Sequence, residues 1–150
     1  MTRIVIVDDH PLVRNLLRAM VESEKDLRVC GEAEDGYHAL DVIKSAKPDM
    51  AILDLSLKGS DGGLDLIKEI QLRYPKLFLL VVSVHDESLF AKGAIRAGAR
   101  GYITKQEATK EILPAIRQVL SGEIYLSAKM AGKVDAKMAV GPEPRGKWSI

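Results

Sequence analysis

The sequence predicts an α/β protein, a doubly wound parallel sheet of five strands built from five successive β–α units. Short apolar runs alternate with amphipathic helical patterns from the N-terminus to about residue 121. Such alternation needs crossover helices, which place the strands in parallel and cover both faces of the sheet. The fourth run, Leu77–Val82, is apolar throughout, as expected of a strand that is buried on both faces.

Each element has a local signal of its own. The strands are predicted at residues 3–8, 27–33, 50–53, 77–82 and 101–104. The first helix follows Pro11, which a first helical turn tolerates, and carries apolar residues at three- and four-residue spacing. Glycine or proline ends the later helices, the last of them at Gly122.

The bulk composition is that of an ordinary soluble globular domain. The chain has 150 residues, of which 47% are hydrophobic and 29% charged, and its formal net charge is +1. This charge gives no electrostatic case for binding nucleic acid or a membrane. The single cysteine, Cys30, fits a reducing compartment, and no apolar run is long enough for a membrane span. We therefore expect a cytoplasmic protein without membrane contact.

Reactive side chains stand at the ends of four predicted strands. Asp8 and Asp9 end the first, Asp54 the third and Ser83 the fourth, while the fifth runs into Lys105. The carboxyl ends of parallel strands share one edge of the sheet, and ligands bind there, where the strand order reverses. In the flavodoxin-like order 2-1-3-4-5, that point lies between strands one and three, which both end in aspartate.

The chemistry of this edge suits a divalent cation and a phosphoryl group. Asp8, Asp9 and Asp54 supply hard oxygen ligands, which favour Mg²⁺ over zinc or copper. A carboxylate can also act as a nucleophile and form an acyl phosphate, and Asp54 is the better candidate because it stands alone. Mg²⁺ and Lys105 would neutralise a phosphoryl group, to which the Ser83 hydroxyl can donate. A lone strand-end aspartate is often only a turn residue, so the complete set carries the prediction.

These residues resemble the conserved set of response-regulator receiver domains, over about residues 1–121. The matching segments, in order, are Asp8-Asp9, Asp54, Asp61-Gly62, Ser83, Ala97-Gly98-Ala99 and Lys105. The resemblance implies that a sensor histidine kinase or a small phosphodonor phosphorylates Asp54. It also implies Mg²⁺ as cofactor, bound directly by Asp9, Asp54 and the main-chain carbonyl of Ser56, and through water by Asp8.

The resemblance further implies a switch pair, Ser83 and Tyr102. Ser83 would move toward the phosphoryl group, and Tyr102 would change its packing. Residues 98–105 and 122–126 are similar to the NarL/FixJ (LuxR-type) subfamily, whose members usually carry a C-terminal helix-turn-helix for DNA. The sequence departs from the family at Lys58 and Gln106, where proline is common, so we expect looser loops at both places.

The chain is predicted to divide into a receiver domain, residues 1–126, and a linker or tail, residues 127–150. Apolar residues at four-residue steps from Met130 indicate a short helix, and residues 141–146 are typical of a linker. A helix-turn-helix needs about three helices, which this tail cannot supply. DNA contact is therefore expected only through an output domain absent from this chain, whether the chain is a truncated regulator or a stand-alone receiver.

Three functions remain open from the sequence. The first is a phosphorylation switch that controls transcription, forms a homodimer on phosphorylation and has only intrinsic autophosphotransfer and autodephosphorylation, so it is not an enzyme. The second is a receiver-like interaction module that works without phosphorylation. The third is a Mg²⁺-dependent aspartyl phosphohydrolase, which usually has a second aspartate two residues after the nucleophile; here that position is Ser56.

Overall fold

The structure is a computed structural model of the chain, and it describes residues 1–54, 63–84 and 88–127. Within these residues, one sheet contains the strands β1 (Thr2–Val7), β2 (Leu27–Ala33), β3 (Met50–Asp54), β4 (Phe78–Ser83), β5 (Gly101–Thr104) and β6 (Tyr125–Leu126). The helices are α1 (Pro11–Glu22), α2 (Gly36–Ala46), α3 (Leu64–Arg73), α4 (Ser88–Ala97) and α5 (Ala108–Leu120). A single turn of 3₁₀-helix, Lys105–Glu107, joins β5 to α5.

The strand order is β2-β1-β3-β4-β5-β6, with every neighbouring pair parallel. The predicted order 2-1-3-4-5 is confirmed, and the predicted count of five is one strand short. The sixth strand adds to the free edge of β5, where Tyr125 pairs with Gly101 and Leu126 with Tyr102. A two-residue strand is too short to show a periodic pattern, so the sequence did not reveal it. It covers backbone groups that an edge strand would otherwise expose.

Two apolar layers cover the sheet because alternate residues of each strand face opposite sides. On one side, Val5 and Val7 belong to a cluster with buried residues of α2, α3 and α4. On the other side, Ile4 and Ile6 belong to a cluster with buried residues of α1 and α5. This is the doubly wound arrangement that the alternating pattern predicted. None of the described helices combines the length and apolarity needed to cross a membrane.

Local signals set the first residues of two helices, and the one at Pro11 was predicted. Helix α1 begins at Pro11, and Asp35 caps α2 by accepting a hydrogen bond from the His38 amide at 2.8 Å. Close packing of β5 depends on Gly101. A Cβ atom there would lie 2.6 Å from Leu80 Cδ1 and 3.0 Å from Val119 Cγ2, so these two buried side chains would have to shift to admit any larger residue.

Candidate functional site

The strand register brings the predicted reactive groups to one edge of the sheet. Val7 of β1 is level with Leu53 of β3, and Ser83 of β4 is level with Thr104 of β5. The strands β1, β3, β4 and β5 are consecutive neighbours in the sheet. The carboxyl ends of these strands therefore lie side by side and carry Asp8, Asp54, Ser83 and Lys105.

Asp54 forms an ion pair with Lys105 inside this edge. The Lys105 Nζ atom lies 3.1 Å from Asp54 Oδ2. The Asp54 side chain is fully buried, whereas 22% of the Lys105 side chain is exposed. A buried carboxylate is costly unless a positive charge compensates it, and the ammonium supplies that charge.

The turn that carries Lys105 is fixed by a capping box. The Thr104 hydroxyl donates to Glu107 Oε1 at 2.7 Å, and the Thr104 amide donates to the same oxygen at 3.3 Å. These bonds satisfy donors at the start of the 3₁₀ turn. Both hydrogen bonds hold the turn Lys105–Glu107, whose middle residue, Gln106, occupies the position where proline is common in the family.

Asp8 is the most perturbed acidic group of the edge. It is fully buried, and burial raises the pKa of its carboxyl from 3.8 to about 6, an effect to which the neighbouring Asp54 carboxyl adds. One oxygen, Oδ1, accepts a hydrogen bond from the His10 amide at 2.9 Å. Among the described residues, no hydrogen-bond donor reaches the buried Oδ2 atom. Within the described part of the chain, one oxygen of this buried carboxylate is therefore left without a hydrogen-bond donor.

Asp9 and His10 form the outer rim of the site. The side chain of Asp9 is 36% exposed, and its Oδ1 atom lies 2.8 Å from His10 Nδ1. Asp8, Asp9 and His10 can bring ligand atoms within 4.8 Å of one another. Asp8 and Asp9 are adjacent in the chain but differ in burial, because Asp8 is enclosed at the strand end and Asp9 lies at the rim.

The donor set fits a small divalent cation. The Lys105 ammonium pairs with Asp54, Asp8 is buried beside Asp54, and Asp9 lies next to Asp8 at the rim, so the carboxylates outnumber the ammonium. Carboxylate oxygen is the ligand that Mg²⁺ prefers, and a cation would compensate the buried Oδ2 atom of Asp8. The described residues thus place an aspartate-rich group, Asp8 and Asp9 with His10, at the switch point of the sheet, and the predicted ligand set stays a prediction.

Of the remaining predicted residues, two are buried in strands and the others lie outside the described part of the chain. Ser83 ends β4 and Tyr102 lies in the middle of β5, and both are fully buried. Ser56, Lys58 and the Asp61-Gly62 segment lie outside the described residues, as does the predicted tail helix that begins at Met130. The predictions made for them therefore stay predictions.

One residue near the site had no signal in the sequence. Arg14, on the first turns of α1, donates from Nη1 to the main-chain carbonyl oxygen of Asp8 at 2.6 Å. The sequence pattern showed which face of α1 is apolar, but not that a polar residue beside it would turn back toward the strand end. This contact requires the packing of α1 against the sheet.

Comparisons with known proteins agree with this geometry. The response regulator receiver domain matches residues 4–117. The chain is 34% identical to the response regulator GacA of Pseudomonas aeruginosa over 137 residues, which cover 91% of this chain and 64% of GacA. It is 36% identical to the transcriptional regulatory protein LiaR of Bacillus subtilis over 140 residues, which cover 92% of this chain and 65% of LiaR. The chain thus spans just under two thirds of each relative.

A solved structure shows the same relationship. A crystal structure of a LuxR-family two-component response regulator from Aurantimonas superposes with a TM-score of 0.85 at 32% sequence identity. The match covers 93% of this chain and 99% of that one. The predicted resemblance, including its NarL/FixJ character, is confirmed. Because the domain match spans most of the sheet and the acidic edge is in place, the chain belongs to the response regulator receiver domain family, a family of signalling domains.

Proposed function

We propose that this domain is a phosphorylation switch in which Asp54 accepts a phosphoryl group from a sensor histidine kinase. The observation that carries the proposal is the Asp54–Lys105 pair, a fully buried carboxylate with an ammonium at 3.1 Å, at the edge where doubly wound sheets bind their ligands. An oxygen of Asp54 would attack the phosphorus atom of a phosphohistidine. The phosphorus–nitrogen bond would break, and the imidazole would leave with the electron pair, giving an aspartyl phosphate.

The residues of this chain would prepare that transfer in distinct ways. Asp8, Asp9, Asp54 and the main-chain carbonyl of Ser56 would hold Mg²⁺, which when bound supplies positive charge to the phosphoryl oxygens. Lys105 already contacts the acceptor carboxylate and would neutralise a phosphoryl oxygen after transfer. The excess of negative charge at the edge makes a cation a requirement for the approach of an anionic phosphoryl group.

The same site would change the conformation of the domain. We propose that the Ser83 hydroxyl moves toward the phosphoryl group and that Tyr102 repacks. Both side chains are fully buried, Ser83 at the end of β4 and Tyr102 in the neighbouring strand β5, so a displacement of either would have to be accommodated by the packed interior. The result would be a shift between two states of the surface formed by α4, β5 and α5.

The wider role is also a proposal, because the relatives are longer than this chain. We propose a receiver domain at residues 1–126, which ends with β6, followed by a linker or tail at 127–150. Its output would be transcription, through a C-terminal helix-turn-helix domain of the kind that the NarL/FixJ subfamily usually carries, with homodimer formation on phosphorylation. The domain would act in the cytoplasm and would have no enzymatic turnover beyond autophosphotransfer and autodephosphorylation.

Intact-mass measurement after incubation with acetyl phosphate tests the proposal. We expect the mass of one phosphoryl group to be added in the presence of Mg²⁺, and no addition to Asp54→Asn or in excess chelator. Asp41→Asn is a matched control, because it removes an exposed carboxylate of α2 and should be phosphorylated normally. Failure with both acetyl phosphate and a histidine-kinase donor would favour a module that works without phosphorylation. Repeated turnover of a phosphorylated substrate would favour a phosphohydrolase.

A further inference from the structure

Arg14 connects three elements behind the acidic edge. Its Nη1 atom donates to the carbonyl oxygen of Asp8 at 2.6 Å, and its Nε atom donates to Glu32 Oε1 at 3.3 Å. Its own amide donates to the carbonyl oxygen of His10 at 3.0 Å. Only 19% of the side chain is exposed. The guanidinium thus links α1, the turn after β1 and the strand β2.

These bonds act on main-chain atoms that carry the acidic pair. Strand β1 ends at Val7, so Asp8 is the first residue beyond the strand. Its amide donates to the carbonyl oxygen of Ala33 at 3.0 Å, and its carbonyl accepts from Arg14. The peptide groups on both sides of the Asp8 Cα atom are therefore held, which fixes the direction of the Cα–Cβ bond, and the His10 amide on Oδ1 orients the carboxylate. A planar guanidinium can donate to two acceptors in fixed directions, which an ammonium cannot do.

We propose that Arg14 is a positioning residue for the divalent-cation site, and that its bond to Glu32 sets its direction. The proposal rests on the proposed function, since it concerns the same carboxylates. Arg14 acts through the main chain of Asp8 and contributes no ligand atom. Groups that orient metal ligands in this way typically change metal affinity by about 10–100-fold when they are removed.

The sign of the effect separates positioning from simple electrostatics. Arg14 is a cation, and a positive charge close to a cation site opposes binding. If Arg14 acted only through its charge, its removal would strengthen Mg²⁺ binding. If it holds the Asp8 main chain, its removal weakens Mg²⁺ binding in spite of the lost repulsion.

Arg18 offers a matched control on the same helix. It lies one turn further along α1, and its ion-pair partners are Glu32, through the second carboxylate oxygen, and Glu22 at 3.7 Å. Replacing Arg18 removes the same charge and an ion pair to the same glutamate. It leaves the hydrogen bond between Arg14 and Asp8 in place.

The test is the dissociation constant for Mg²⁺, measured by isothermal titration calorimetry on the full chain. We expect Arg14→Ala to bind Mg²⁺ about tenfold more weakly than the wild type and Arg18→Ala to bind it within about twofold. Arg14→Lys should fall between them, because an ammonium keeps the charge but loses the paired geometry. If the alanine variant does not fold, the lysine variant decides, with binding about threefold weaker as the expected result.

A second readout uses the protein without metal. NMR should show faster hydrogen exchange of the His10 amide, which donates to Asp8 Oδ1, in Arg14→Ala than in Arg18→Ala. Unchanged or tighter Mg²⁺ binding by both Arg14 variants would overturn the positioning role while leaving the proposed function intact. A wild-type protein that binds no Mg²⁺ would overturn both.

Discussion

Replacing Asp8 by asparagine should stabilise the metal-free protein. Burial and the adjacent Asp54 carboxyl raise the pKa of Asp8 from 3.8 to about 6, so the ionised carboxylate is less favourable in the folded chain than in the unfolded one. Asparagine has nearly the same shape and keeps an oxygen for the His10 amide. Its amide nitrogen can also donate to the Asp54 carboxylate, where a second carboxylate can only repel.

The size of the effect follows from the pKa. A difference of one unit between the pKa values of the folded and unfolded states is worth about 1.4 kcal/mol. The raised pKa of Asp8 therefore lowers the free energy of unfolding by about 3 kcal/mol at neutral pH, where the carboxyl is ionised. This loss is absent below the unfolded-state pKa of 3.8, where both states are protonated. It grows as pH rises through the interval from 3.8 to about 6 and is constant above it.

Urea denaturation in excess chelator measures the difference between the wild type and Asp8→Asn. At pH 7 we expect the variant to be more stable by about 2–3 kcal/mol, and at pH 4 we expect most of this advantage to vanish. Saturating Mg²⁺ should also reduce the advantage, because a ligand that binds only the folded wild type stabilises it. Asp41→Asn, on the exposed side of α2, should show none of these effects. A variant that is no more stable at pH 7, or whose advantage is independent of pH, would refute the reasoning.

Three further substitutions have separate expected outcomes. Lys105→Met keeps the apolar stem but removes the cation beside Asp54, so the initial rate of acetyl-phosphate labelling followed by intact mass should fall at least about tenfold; an unchanged rate would contradict a role for the ammonium. Tyr125→Phe removes the hydroxyl that donates to Glu111 and should lower the urea-derived free energy of unfolding by about 1 kcal/mol; an unchanged value would mean that this bond does not stabilise β6. Gly101→Ala places a Cβ 2.6 Å from a leucine methyl of β4 and should cost about 1–3 kcal/mol in the same assay; a neutral result would mean that the Leu80 and Val119 side chains move aside without cost.

The sequence predicted the parts of the fold that depend on local pattern. Apolar runs located β1 to β5, and the groups that end them located the acidic edge, since parallel strands must place their carboxyl ends together. Strand β6 was missed because distant residues hold it. The Tyr125 amide donates to the carbonyl of Arg100, and Gln118 Nε2 donates to the carbonyl of Ile124 at 2.8 Å. No spacing within residues 122–126 encodes these contacts.

The limits of sequence reasoning at the site have the same physical origin. The sequence shows Asp8 and Asp9 as an equal pair, whereas the fold buries the first completely and leaves the side chain of the second 36% exposed. Burial depends on how α1 and β2 close over the strand end, and so does the contact between Arg14 and Asp8. Composition and order predict which groups meet, but tertiary packing determines which of them is desolvated.

This uneven burial puts an electrostatic cost at the acidic edge. A fold selected for stability alone would not bury the Asp8 carboxylate beside that of Asp54 with a single ammonium, that of Lys105, paired to Asp54. The free energy lost there is recovered when positive charge enters the edge, so the folded state is coupled to what the edge binds. Ser83 ends β4, the strand next to β3, and Tyr102 lies in β5, the strand after that. Both side chains are fully buried. In the proposed switch, a change of charge at Asp54 would act on a tightly packed interior, which would respond by moving between discrete arrangements rather than by gradual deformation.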